Sequence, residues 1–518
     1  MDKLEAPWED VAKRFQDRRA ASFPVRWLVP QDELNQASHA ITRVADLLPK
    51  WLSDEEIRIT ELGASALAAK IRDGEWTSLQ ITEAFCHRAT IAHQLTNCLT
   101  EVFFDEALES ARRLDEHLKS TGKPLGPLHG VPISVKDHYN VKGQYTTAGY
   151  ISYSRFPVRE KDAHIVEIIR NAGAVLYAKT NNPQCMMVLE TVSNIYGRTL
   201  NPLNTRVGAG GSSGGEGALL ASHASPLGVG SDVGGSIRIP AAFNGLYGFK
   251  PSGKRVPTAG WECTMTGSES IIAVAGPLGH CVEDLELFFQ VVSNAKPWLK
   301  EPLLGFPWLS QPEPEPSKLT VVVDFKPFEH KRAWDEILLP LYFTDGGLDI
   351  KQTLDAGNEP MFPSAKRLIS DPIVKERSIH EIWKLNIDRD IYKMDYLQKW
   401  NATSQATRSG KPIEVLICPV ASVQGTPHDV KPWWGYCSQW NLLDYPSGVI
   451  PVGRVLDSDA YPQNYQPVNE LDRENMELYD INLYRDMSVA LQVVGLTHED
   501  EKVMAAMKTI DRIVNQEK

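Results

Sequence analysis

The feature that most constrains this chain is a glycine- and serine-packed run from Val207 to Phe249, VGAGGSSGGEGALLASHASPLGVGSDVGGSIRIPAAFNGLYGF. Of its 43 residues 12 are glycine, against 36 in the 518-residue chain. Glycine at that density is costly in a core, because ordering it loses more backbone entropy than ordering any other residue. It suits places where backbone amides must come close to a reacting group. The stretches LLASHASPLGVG and IRIPAAF are too apolar for a solvated linker. Two serine-bearing turns, GGSSGG and DVGGS, are therefore the candidate working parts.

Familiar readings of such a run fail on their flanks. Neither GxGxxG nor GxxxxGK[ST] occurs in it; Gly208-Ala-Gly210 lacks the third glycine, so a nucleotide phosphate site is not supported. Gly210-Gly-Ser212-Ser-Gly214 matches GxSxG literally, as does the frame centred on Ser213. A nucleophile elbow of that kind needs a hydrophobic strand directly before it. Here the preceding RTLNPLNTRVGAG is polar and broken by proline. Ser120-Thr-Gly-Lys123 matches SxxK but falls in a polar turn followed by Pro124.

Around the run, the pattern alternates. GVPISVKD (130–137), AGAVLYAKT (172–180) and PLGVGSDV (226–233) are short apolar runs of buried-strand type. Helical segments are expected between them, at 162–171 and 214–222, and upstream at 63–73, 78–95 and 104–119, with Ser53-Asp-Glu-Glu as a helix start and Thr77 or Ser78 as an N-cap. Further strands are expected at 319–325, 415–421 and 488–495, and a closing helix over 497–515. This alternation predicts an α/β fold with a central sheet. Residues 1–55 form a candidate N-terminal helical arm, with Trp8, Val11, Ala12 and Phe15 at helical spacing; 56–518 form the main domain. The Pro-rich stretch 296–318 is a surface excursion within it.

Charge narrows the class. With 54 basic and 66 acidic residues the net charge is −12, which gives no support for nucleic acid or an anionic membrane as partner. Seven cysteines without a CxxC pair predict neither a disulfide framework nor a zinc site, and fit a reducing, cytoplasmic compartment. Met1 is followed by DKLEAPWEDVAKRF, too charged for a signal peptide, and no 18-residue apolar stretch occurs.

The run, taken with HGVPISVKDHYNVKG (129–143), closely resembles the amidase signature family. GGSSGGEGALLA (210–221) and PLGVGSDVGGSIRIPAAFNGLYGFKP (226–251) match that signature along nearly their whole length. Lys136 precedes Ser212 by 76 residues and Ser212 precedes Ser236 by 24, the separation that the family expects. The arm WEDVAKRFQDRRAASFPVRWLVP and WNLLDYPSGVIPV (440–452) look most like its fungal acetamidase-like branch.

The resemblance implies a single large amidase-signature domain, with a mixed central sheet covered by helices on both faces. It implies hydrolysis of a carboxamide through a Ser–Ser–Lys triad, without metal or cofactor. Ser236 would be the nucleophile, Ser212 the proton relay and Lys136 the general base. A Ser–Lys pair works only if the lysine is neutral. Bringing its pKa from near 10.4 to about 7–8 takes roughly 4 kcal/mol of destabilisation of the cation. Burial under Val131, Ile133 and Val135 would contribute, and strand alternation points Asp137 away from the amine.

Amides of Val233, Gly234, Gly235 and Ser236 would converge on the oxyanion, such donors contributing about 3–4 kcal/mol each. The family places a cis peptide between Gly211 and Ser212. Asp232 and Arg238 would hold the second turn, and Met186 would line the pocket. The expected partner is a small-molecule amide, with a homodimer as the candidate assembly. An amidotransferase subunit feeding ammonia to a partner, and a decayed binding module, are the competing readings. The intact Lys136, Ser212 and Ser236 weigh against the latter. Trp433, Trp434, Tyr436 and Trp440 are candidates for either a pocket wall or core, and at most one of His129 and His138 is expected to line the site.

Overall fold

Ten strands hydrogen-bond into one sheet in a computed structural model that describes residues 3–40, 42–322, 326–430, 433–462 and 464–516. In chain order they are β1 (Leu99–Val102), β2 (Pro132–Lys136), β3 (Val175–Thr180), β4 (Leu227–Asp232) and β5 (Tyr247–Lys250), then β6 (Val274–Gly279), β7 (Val321–Val322), β8 (Val415–Pro419), β9 (Ser447–Arg454) and β10 (Ser488–Val494). Their spatial order is β1-β3-β2-β4-β6-β5-β9-β10-β8-β7. β2 runs parallel to both β3 and β4, and β7 parallel to β8; the remaining pairs are antiparallel. The sheet is therefore mixed, as expected.

Every residue of β2, β3, β4 and β6 is buried, which is why these strands lack polar alternation. Successive residues feed opposite cores: Val449, Leu416 and Val494 join one, Ile450, Val415 and Val493 the other. Helices cover both faces. On one lie α4 (Ala64–Arg72), α7 (His164–Asn171), α10 (Val282–Asn294) and α13 (Asp500–Asp511). The other carries α6 (Phe104–Thr121), α8 (Gly214–Ala221), α9 (Arg238–Phe243) and α12 (Gly435–Leu443). Between α10 and α12 in the chain comes the long α11 (Ile379–Ala402), whose Tyr392, Tyr396 and Trp400 are buried.

Local signals act where they were expected. Ser53 and Glu56 form a reciprocal capping box opening α3 (Asp54–Thr60), and Thr77 with Gln80 does the same for α5 (Ser78–Thr96). The N-terminal segment is helical in α1 (Trp8–Ala21) and α2 (Gln31–Ala40), and it is built into the body. Phe15 meets Tyr145 and Tyr196 edge-on, Arg19 donates to the Leu99 carbonyl, and Arg18 pairs with Glu101. Residues 1, 2 and 41 of the expected arm, and 323–325 of the expected strand at 319–325, lie outside the described residues. Strands β1, β5, β6 and β9 fall where no strand was expected; β1 is a four-residue LTEV with polar residues, and the others contain Gly or Pro, which weakens their apolar pattern. The Pro-rich excursion leaves Leu299, Leu303 and Leu309 exposed and anchors Trp308 against Phe289, with stacked rings 4.6 Å apart.

Candidate active site

Lys136 ends β2 with no solvent exposure. Its Nζ donates to Ser212 Oγ at 2.6 Å and to Ser231 Oγ at 3.0 Å. The parallel register that opposes Val135 to Val229 brings Ser231 on β4 alongside the end of β2. Burial lowers the Lys136 pKa to about 7, against the opposing pull of Asp232, Cys263 and Glu216. An amine so placed is substantially neutral near neutral pH and can accept a proton. Asp137 does face away: it accepts from Thr100, Thr147 and the Ala148 amide, with Lys179 3.5 Å away.

Ser212 stands in the turn that enters α8, and the Gly211–Ser212 peptide is cis. A Cβ on Gly211 would come within 2.5 Å of the Val188 carbonyl oxygen, so only glycine fits. The two serine turns are tied together, because the Ser213 amide donates to the Ser236 carbonyl at 3.2 Å.

Asp232 builds the second turn. Its carboxylate accepts from the amides of Gly235 (2.8 Å), Ile237 (3.1 Å) and Arg238 (3.4 Å). It also accepts from Arg238 Nε and Nη2 and from Asn441 Nδ2. Burial alone would raise this carboxyl; Arg238 and Asn441 overcome that and hold it below the ordinary range. Arg238 in turn donates to the Cys437 carbonyl, Gln492 Oε1 and Asn441 Oδ1.

One expected oxyanion donor differs. The Gly235 amide is committed to Asp232 Oδ1, because φ at Gly235 is +127° and turns that N–H inward. The amides of Val233, Gly234 and Ser236 have no protein acceptor among the described residues.

Ser212, Ser236, Asp232, Val233 and Met186 all line one cavity of about 110 Å3, as does Ser231. Its walls are Met187, Trp261, Cys263, Ile271 and Tyr342, with His138 beside them. His129 is not among the lining residues. None of Trp433, Trp434, Tyr436 and Trp440 is among the lining residues: Trp434 stacks on Tyr342 at 5.5 Å and abuts Gly234 behind the site, Trp440 is buried, Trp433 is half-buried and Tyr436 is exposed. Sequence reasoning missed Ser231, Asn441, Gln492, Trp261 and Tyr342. Ser231 carried a local signal, since it directly precedes the DVGGS turn, and Asn441 lies in the WNLLDYPSGVIPV block. Among the described residues no group of His, Cys, Asp or Glu side chains could hold a metal ion, and no helix is long and apolar enough to cross a membrane.

A mixed sheet presenting a buried lysine to serine hydroxyls, beside a glycine turn with open amides, is an arrangement that can support acyl transfer. The comparisons narrow this. The family model "Amidase" matches residues 80–320. The chain is 37% identical to the acetamidase of Emericella nidulans, with 98% of each chain covered. It is 35% identical to that of Aspergillus oryzae, with 98% of this chain and 99% of that one covered. A fatty acid amide hydrolase structure superposes with a TM-score of 0.89 at 30% identity, covering 98% of this chain and 95% of its own. The chain belongs to the amidase family, in its fungal acetamidase-like branch, and is an amide-hydrolysing enzyme.

Proposed function

We propose that this enzyme hydrolyses short carboxamides through an acyl-enzyme on Ser236, with Ser212 as relay and Lys136 as general base. The observation that carries the reading is the 2.6 Å contact between the buried Lys136 Nζ and Ser212 Oγ. Neutral Lys136 takes the Ser212 proton as Ser212 takes that of Ser236, and Ser236 Oγ attacks the amide carbon. The amides of Val233, Gly234 and Ser236 meet the developing oxyanion. Ser212 then gives its proton to the departing nitrogen and recovers one from the Lys136 ammonium. A water molecule, deprotonated by the same relay, releases the acid and restores Ser236. Relatives named acetamidase favour a small acyl group. All seven cysteines are unpaired, which fits work in the cytoplasm.

The test is covalent labelling with a fluorophosphonate, together with hydrolysis of a panel of aliphatic amides. Ser236→Ala should abolish both. A variant that still takes the label, or still turns over acetamide, refutes the nucleophile assignment.

A further inference from the structure

The turn after β4 is held at several points. Asp232 accepts from the amides of Gly235, Ile237 and Arg238, and the Ser213 amide donates to the Ser236 carbonyl. None of these contacts touches the peptide that joins Val233 to Gly234. Among the described residues that peptide has one polar partner: Tyr342 Oη donates to the Val233 carbonyl at 2.6 Å. Tyr342 ends a short helix, Leu339–Tyr342, and arrives from 109 residues further along the chain. It is 6% exposed and lines the cavity that holds Ser212 and Ser236. Its ring stacks on Trp434, with centroids 5.5 Å and planes 19° apart, and Trp334 meets Trp434 edge-on at 4.9 Å. Burial, with Asp232 nearby, raises the phenol well above its ordinary pKa, so the hydroxyl keeps its proton and donates it.

The only cis bond among the described residues is Gly211–Ser212, so the Val233–Gly234 peptide is trans. In a planar trans peptide the N–H points opposite to the C=O. With the carbonyl fixed on Tyr342, the Gly234 amide is turned away from that ring, and it has no protein acceptor among the described residues. Resting on the amidase reading above, we infer that Tyr342 is a positioning residue for the oxyanion: its hold on the Val233 carbonyl aims the Gly234 amide at the substrate oxygen that gains charge in the transition state. A donor fixed in advance needs no reorganisation when that charge develops. A hydrogen bond accepted by the carbonyl also polarises the peptide and strengthens its N–H as a donor, by roughly 10–30% in such chains. Both effects act on the charged transition state more than on the neutral amide, so they fall on kcat.

The test is Tyr342→Phe, which removes the hydroxyl and keeps the ring beside Trp434. Rates are referred to the sites that a fluorophosphonate labels, so misfolded protein does not enter. On acetamide kcat should fall about ten-fold or more, with KM nearly unchanged. Trifluoroacetone reports on the oxyanion separately. Ser236 Oγ adds to its carbonyl carbon, the serine proton passes through Ser212 to Lys136, and the ketone oxygen becomes an alkoxide. Its inhibition constant should rise by the factor that kcat falls, whereas acetamide should bind Ser236→Ala with and without Tyr342→Phe equally. Placing 3-fluorotyrosine at 342 keeps the donor and should keep the parent kcat. An unchanged kcat in Tyr342→Phe overturns the proposal. So does a fall in kcat that leaves inhibition by trifluoroacetone unchanged, or an equal fall with 3-fluorotyrosine. If trifluoroacetone fails to inhibit the parent enzyme, or Ser236→Ala stays active, the acyl-enzyme reading is overturned and this proposal with it.

Discussion

Asp232 and Arg238 face each other with both side chains fully buried, Oδ1 lying 3.1 Å from Nη2 and Oδ2 3.1 Å from Nε. Removing either partner leaves the other charge buried and unpaired, at a cost of about 3–5 kcal/mol. Asp232→Ala and Arg238→Ala should each lower the guanidinium midpoint strongly. The double alanine variant should lose less than the sum, because the second removal relieves the first. Strictly additive losses would show that the two charges do not depend on each other.

Lys136→Met should be inactive yet no less stable at pH 7. The folded lysine has its pKa depressed from 10.5 to about 7 by burial. Between those values the unfolded chain binds the extra proton, so stability rises with pH across that window. Methionine removes this dependence, and its denaturation curves should be flatter from pH 7 to 10. In the parent enzyme kcat/KM should rise with pH up to about 7 and then level, since only the neutral amine accepts a proton. A rate falling over that range would exclude Lys136 as base.

Gly234→Ala should cost at least about a hundred-fold in kcat, comparable to losing an oxyanion donor, while leaving a folded protein. The added Cβ would meet Trp434 Cζ3 at 2.2 Å and Tyr342 Oη at 3.0 Å, both parts of rigid buried rings. The turn must then shift, and its amides shift with it. Combining the change with Trp434→Leu should recover part of the rate, which steady-state kinetics on acetamide would reveal.

Ser231→Ala removes one acceptor of the Lys136 amine, a contact that favours the ammonium form. The lysine should titrate lower still, moving the acid limb of the pH–rate profile to lower pH. Loss of one hydrogen bond that orients the amine should reduce kcat by about ten-fold. An unmoved limb would mean that Ser231 has no part in tuning the base.

The legible part of this protein was its local part. The β2, β3 and β4 runs are short apolar stretches ended by Gly or Pro, and the structure has strands inside each expected range. Capping signals at Ser53 and Thr77 work through neighbours three residues away. Lys136, Ser212 and Ser236 were found because their surrounding blocks carry a long motif. What stayed hidden acts across the fold. Asn441 and Gln492 reach Arg238 from 203 and 254 residues away; Asn441 lies in the WNLLDYPSGVIPV block and Gln492 in an expected strand, but neither block says that its side chain meets Arg238. Composition left the aromatic cluster at 433–440 open between pocket wall and core. Which of its faces meets the cavity depends on how α12 packs, and Trp434 lies behind Gly234 rather than in front of Ser236.

The tie between Arg238 and the distant Asn441 and Gln492 also sets an order of events during synthesis. A nascent chain that has emerged as far as Ser236 already carries both serines and the lysine. It still lacks the two amide side chains that accept from the guanidinium bracing the turn. The bracing of the Asp232–Ser236 turn is therefore complete only once the strand bearing Gln492 has joined the sheet.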